Sequence, residues 1–185
     1  MTIPTGLPGP YPGLDAAASQ RVMALEAITR SYDARMSELP TYNDRLDVEA
    51  TGFRLVGPAG SARDLLGTLI TPWSIDIVML ALEEDTYDHA RIGKTQALPF
   101  PAGVRVFNWV GEPAVGMFRV LPVKTPCLDV LHQDEARTLG ATSLSILLTM
   151  ADAPSAAAPQ ASSASPPAPR AVGRRELFLG RLGRR

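Results

Sequence analysis

The most continuously apolar stretch of the chain is Asp64–Leu82, DLLGTLITPWSIDIVMLAL, and it is interrupted at Thr71-Pro72-Trp73. Leu65–Ile70 and Ile75–Leu82 each have the length and branched-residue content of a buried strand. Pro72 has no N–H to give to a sheet ladder, so the chain must turn, bulge or change partner there. Trp73 follows directly and admits two readings. Its size favours a core position packed under the strand corner. Its place on a rigid corner suits a recognition contact.

Around this stretch the pattern predicts two helices and further strands. Residues 1–13 hold four prolines and three glycines and read as an extended, poorly ordered arm. Asp15 is a good N-cap for a helix over Ala16–Met36, with Val22, Leu25, Ile28, Tyr32 and Met36 on one core face and Pro40 as its stop. Leu46, Val48, Ala50, Phe53 and Leu55 read as a strand with a bulge at Gly52. Gly57–Gly60 is a turn, and Glu83–His89 is an acidic, solvated loop.

Leu98-Pro99-Phe100-Pro101-Ala102-Gly103 is a stiff entry into a hairpin. In it Val104, Val106, Asn108 and Val110 alternate with Arg105, Phe107 and Trp109, the chain turns at Gly111-Glu112-Pro113, and Val115 to Leu121 return. Pro122 and Pro126 close the hairpin. A second helix begins at Asp129 or His132, with Ala136, Leu139, Ser143, Ile146, Leu147 and Met150 as its buried stripe. Two flanking helices around runs of sequential strands predict an α+β fold: a single domain over residues 14–152 with a mostly antiparallel sheet. Residues 153–171 are a Pro/Ala/Ser-rich linker, and residues 172–185 form a short segment that is basic and apolar together.

Composition narrows the function classes. At 185 residues the chain supports one domain with a real core, and no apolar run is long enough to predict membrane insertion. The N-terminus has neither the basic nor the apolar region of a secretory signal. The single cysteine, Cys127, excludes an internal disulfide and a multi-cysteine zinc cage, and fits a reducing cytoplasm. Residues 170–185 carry six arginines against one acid, Glu176, while the rest holds 12 Lys+Arg against 18 Asp+Glu. Such a tail suits an acidic surface, on its own body or on a partner. The acidic body and the presence of only two lysines, Lys94 and Lys124, argue against nucleic acid.

Candidate chemistry is sparse. Ser74 lacks a nucleophile-elbow setting, and His89 and His132 read as solvated. Cys127 between Pro126 and Leu128 reads as small, buried and inert, so a Cys127–His132 catalytic pair has little to support it. Asp85, Asp88 and His89, or Cys127, His132 and Asp134, could converge on nickel or zinc, but short acidic loops are usually just solvated. Gly57-Pro58-Ala59-Gly60-Ser61 lacks the lysine of a phosphate-binding loop. The C-terminal block is more informative, because Leu177, Phe178, Leu179 and Leu182 need somewhere to dock. Either they fold back on the body, or they form a tethered segment that recognises a partner. Arg174-Arg175-Glu176-Leu177-Phe178-Leu179 also has the look of a twin-arginine export motif, but at the wrong end of the chain to work as one.

Three stretches in this order, Leu69-Ile70-Thr71-Pro72-Trp73, Leu98-Pro99-Phe100-Pro101-Ala102-Gly103 and Gly173–Arg181, make residues 15 to 181 resemble the HybE/HupJ family of nickel–iron hydrogenase assembly chaperones. The resemblance implies a small cytoplasmic protein without catalytic activity or cofactor. It would bind hydrogenase precursors, either the large subunit, the signal-bearing small subunit or both, and delay premature assembly or export. The contact residues would be Thr71, Pro72 and Trp73 together with Arg174, Arg175, Phe178 and Arg181. Some relatives carry a rubredoxin domain, whose iron ligands one cysteine cannot supply, so any rubredoxin must be a separate partner. The rival readings are a metal-delivery factor and a structural subunit kept in the mature enzyme.

Overall fold

The structure of the chain is a computed structural model that describes residues 11–57, 63–83 and 85–149. Helix α1 (Ala16–Ser31) opens as expected: Asp15 accepts a 2.8 Å hydrogen bond from the Ala18 N–H, satisfying one donor that a helix start leaves orphaned. The helical run does not continue unbroken to Met36. Thr29 and Ser31 return their hydroxyls to the Leu25 and Ile28 carbonyls, competing with the helix ladder. Tyr32 caps α1, and a single turn, α2 (Asp33–Met36), follows. Tyr32 therefore leaves the predicted core face; it is exposed and donates to the Glu112 carboxylate. The expected N-terminal arm is anchored at its end, where Tyr11 packs on the α1 core and donates to Glu26 at 2.8 Å.

Six strands follow: β1 (Glu49–Val56), β2 (Asp64–Ile70), β3 (Ile75–Ala81), β4 (Thr95–Phe100), β5 (Gly103–Glu112) and β6 (Gly116–Lys124). They form one antiparallel sheet in the order β1-β2-β3-β6-β5-β4, and helix α3 (Gln133–Leu148) closes the described chain. The fold is the α+β arrangement expected from sequence. Strands β2 and β3 read as continuous apolar runs because both of their faces are covered, as the two-residue period of a strand requires. Leu65, Leu69, Val78 and Leu80 join Val22 and Leu25 of α1 in one core. Leu66, Ile77, Met79 and Phe107 join Leu144 and Leu147 of α3 in another. The bulge at Gly52 is present, with φ +66° and a register shift between Thr51 and Arg54 that lets Ala50 and Phe53 face the same core.

Two expectations change, and the alternation in β5 acquires its buried side. The Leu98–Gly103 stretch is not merely an entry but the second half of edge strand β4 plus its turn into β5; the edge position is what tolerates Pro99. In β5 the buried residue is Phe107, under α3, whereas Val104 and Val106 on the opposite face are 63% and 54% exposed. In α3, Gly140 and Leu144 complete the buried stripe and Ile146 is 60% exposed; Met150 lies outside the described residues. The Glu83–His89 loop is also less free than expected. Asp85 forms a two-pronged ion pair with Arg91, at 2.9 Å for each bond.

Gly140 sets how closely α3 approaches the sheet: a Cβ there would lie 2.4 Å from Thr68 Cγ2. Gly140→Ala gains about 1 kcal/mol of helix propensity, but overpacking a tight contact typically costs ~1–3 kcal/mol. The expected net result is a loss of stability and a thermal midpoint lower by several degrees. A calorimetric scan showing a raised midpoint would contradict this packing.

Candidate functional site

The Thr71–Ser74 corner joins β2 to β3 and is held from within. The Thr71 N–H and hydroxyl both donate to the Ser74 carbonyl at 2.8 Å, while Thr71 Oγ1 accepts from the Ser74 N–H at 2.8 Å. A threonine at the start of a turn can do this because its short hydroxyl reaches its own backbone. Pro72 supplies a fixed φ and leaves its carbonyl free to accept from the Asn43 N–H at 2.7 Å.

Asn43 then ties the corner to a third segment. It is buried, and its amide donates to the Cys127 and Val130 carbonyls at 2.9 and 2.8 Å. The Cys127 thiol closes the loop by donating to the Pro72 carbonyl at 3.4 Å. Burial pushes that thiol above its ordinary pKa, so Cys127 is kept protonated and serves as a small packing donor.

On this frame Trp73 is half-buried, between the two readings the sequence left open. Pro72 and Thr71 are buried beneath it. The segment braced by Asn43 turns Cys127 and Val130 inward and leaves Leu128 and Leu131 46% and 51% exposed. Asp44, Asp47, Asp129, Asp134 and Glu135 are exposed on the segments joined here beside Arg45, with Asp129 paired to Lys124 at 2.9 Å and Asp134 to Arg137 at 2.5 Å. A shallow groove of about 610 Å³ runs beside Lys124, Asp129, Val130 and Leu139. The corner is therefore a rigid, partly apolar projection with an acidic surround. Such a surface accepts a segment that pairs apolar side chains with positive charge.

The structure thus brings Thr71, Pro72 and Trp73 together on one turn. Arg174, Arg175, Phe178 and Arg181 lie outside the described residues. His89 and His132 are exposed, His132 as the N-cap of α3, and Cys127 is buried away from the surface. Among the described residues no cluster of three or more His, Cys, Asp or Glu is placed to hold a metal ion. No helix among them is long and apolar enough to cross a membrane.

Three contributors escaped the sequence reading. Asn43 carries no motif; its only signal is a lone amide before an apolar strand. Trp109, read as an ordinary strand residue, lies with Arg91 3.8 Å and Arg119 5.1 Å from its ring centre, and Arg119 pairs with Asp64 at 2.7 Å. Asp76, which interrupts the apolar run Ile75–Leu82, sits two positions after Ser74 and so on the same side of the extended chain. The Ser74 hydroxyl donates to it at 2.6 Å.

Burial pushes the Asp76 carboxyl up to about 6, against the Ser74 hydrogen bond that pulls it down. Because the folded value lies above the unfolded one, Asp76 favours the folded state at low pH, and that contribution is lost as pH rises through about 6. Asp76→Asn keeps an acceptor for Ser74 and should be more stable than the wild type at pH 7.5, by about 2 kcal/mol. The difference between the two proteins should shrink toward pH 4. Denaturant unfolding of both across that range checks it, and a pH-independent difference would show that Asp76 is not the titrating group.

Comparison with known proteins follows this geometry. A match to the family described as NiFe-hydrogenase assembly, chaperone, HybE runs over residues 20–180. The chain is similar to the hydrogenase expression/formation protein HupJ of Bradyrhizobium diazoefficiens, 28% identical over 95% of this chain and 96% of that one. It is also similar to protein HoxT of Cupriavidus necator, 32% identical over 65% of this chain and 70% of that one. Among solved structures, the solution structure of HybE from Escherichia coli overlaps 84% of this chain and 92% of that one, at 18% identity and a TM-score of 0.48. The chain belongs to the HybE family of nickel–iron hydrogenase assembly chaperones.

Proposed function

We propose that this chain holds precursor subunits of a nickel–iron hydrogenase in the cytoplasm, without catalysis and without a cofactor of its own. The clients would be the unprocessed large subunit, the signal-bearing small subunit, or both. By holding them the chain would delay premature assembly or export. The observation that carries this reading is the half-exposed Trp73 on a corner whose backbone is fixed by hydrogen bonds within itself and to two other chain segments. A contact surface fixed before binding loses little entropy when a partner arrives. Tryptophan and arginine are also the side chains that most often dominate interface energies. Arg174, Arg175, Phe178 and Arg181 would add a second, tethered contact.

The acidic surround gives a reason for the choice of client. An export signal joins a positively charged region to an apolar one, and such a segment matches an apolar corner flanked by acids. A chaperone need only bind the immature state better than the mature one. Any rubredoxin acting alongside would be a separate protein. The metal-delivery reading finds less support, since Cys127 is buried with its thiol held protonated.

Trp73→Ala should weaken capture of a purified precursor by about 2 kcal/mol, roughly thirtyfold. Its thermal midpoint should stay near that of the wild type. Titration by calorimetry alongside a thermal scan separates the cases. Loss of fold with loss of binding would make Trp73 a core residue, and undiminished binding would place the contact elsewhere.

A further inference from the structure

The two edges of the sheet are finished differently. Beside and at the start of β1, from Asp47 to Ala50, side chains take up the outward backbone. Gln133 accepts from the Asp47 N–H at 2.9 Å, Arg30 donates to the Val48 carbonyl at 2.9 Å, and Glu26 accepts from the Ala50 N–H at 3.2 Å. Capped edges of this kind do not template strand pairing. Along β4 nothing comparable occurs among the described residues: no side chain and no other segment bonds the outer side of Thr95–Phe100.

The open groups can be identified from the ladder. The Trp109 N–H donates to the Lys94 carbonyl at 2.8 Å, and the pairs that follow are Thr95 with Asn108, Gln96 with Phe107 and Ala97 with Val106. Bonded and non-bonded pairs alternate in an antiparallel ladder. Gln96, Leu98 and Phe100 therefore bond β5, while the N–H and C=O groups of Thr95 and Ala97 and the C=O of Pro99 point outward. Pro99 sits where its missing N–H costs the sheet nothing. The strand carries no charge to repel a neighbour. On one side it continues into the exposed Val104 and Val106. On the other, Leu98 and Phe100 border a cleft of about 650 Å³ shared with Val56, Met79, Leu148 and the Asp64–Arg119 pair.

We propose that the β4 edge receives an extended, uncharged segment of the precursor client as an added strand, with apolar side chains at alternate positions. The inference rests on the client-binding reading above and adds a second contact to it. Main-chain bonds to Thr95, Ala97 and Pro99 give affinity, and alternate side chains fall toward Val104 and Val106 or into the cleft. A second copy of this chain fits less well. Antiparallel pairing of two β4 strands centred on Ala97 sets each Pro99 against the other copy's Thr95, whose carbonyl then lacks a donor. A segment without proline there satisfies every outward group.

The test uses the full chain with each purified precursor in turn. Ala97→Pro removes one outward N–H without touching the β5 ladder, and should weaken capture roughly tenfold. Pro99→Ala adds a donor and should leave capture equal or tighter. In the wild-type complex, hydrogen exchange at the Thr95 and Ala97 amides should slow. Undiminished capture by a folded Ala97→Pro variant overturns the inference alone, and so do Thr95 and Ala97 amides that exchange as fast in the complex as in the free chain. Protection that rises with chain concentration in the absence of client also overturns it, assigning the edge to self-association. Should Ala97→Pro fail to fold, the wild-type exchange measurement decides. If the wild type captures neither precursor, the client-binding reading falls and this inference falls with it.

Discussion

A β-hairpin covered on both faces cannot leave the polar groups of its turn to water, and that constraint organises this protein. Strands β2 and β3 supply both cores, so the connection between them at Thr71–Ser74 is largely buried and its hydrogen bonds must close inside the molecule. They do so through the Thr71 hydroxyl, the Asn43 backbone N–H and the Cys127 thiol. One consequence is that three segments distant in sequence become a single rigid body. Another is that Trp73, at the tip, has a fixed backbone and neighbours that hold the ring only in part.

Register places the candidate contacts together. Ile75 at the start of β3 pairs with Lys124 at the end of β6, so the β2–β3 corner, the Cys127–Val130 segment and the β4–β5 turn all lie at one end of the sheet. From β3 to β4 is three strand spacings, roughly 14 Å. The helices divide the remaining surface unequally. α1 and α3 cover the β1–β3 half and cap the start of its edge, whereas the β4 edge and the outer face of β5 stay open among the described residues. Apolar surface left open in this way must be prevented from pairing at random. Pro99 in β4 and the capped start of β1 restrict where pairing can begin.

Much of this was legible in the chain because local chemistry and global fold agree. Asp15 as a cap, Gly52 as a bulge and the two apolar runs around Pro72 each have one natural structural meaning, and each took it. The misreadings share a cause. Period-two alternation shows that Val104 and Phe107 point to opposite sides, but not which side has a helix on it. The alternation left the buried side open, and α3 proves to lie over Phe107. Ile146 was misassigned for the same reason, since Gly140 brings α3 so close that the helix contacts the sheet along a narrower stripe. At the corner, Thr71-Pro72-Trp73 announced itself through composition. Asn43 could not, because its role exists only after segments more than 80 residues apart have met.

The central claim is that this surface binds hydrogenase subunits before they mature. The most direct measurement is affinity purification of the tagged full-length chain from cells making the enzyme, with mass spectrometry separating processed from unprocessed subunits. The account predicts recovery of unprocessed large subunit or signal-bearing small subunit. Recovery of the mature enzyme alone would contradict it and make the chain a structural subunit, and recovery of neither would leave the corner without its client.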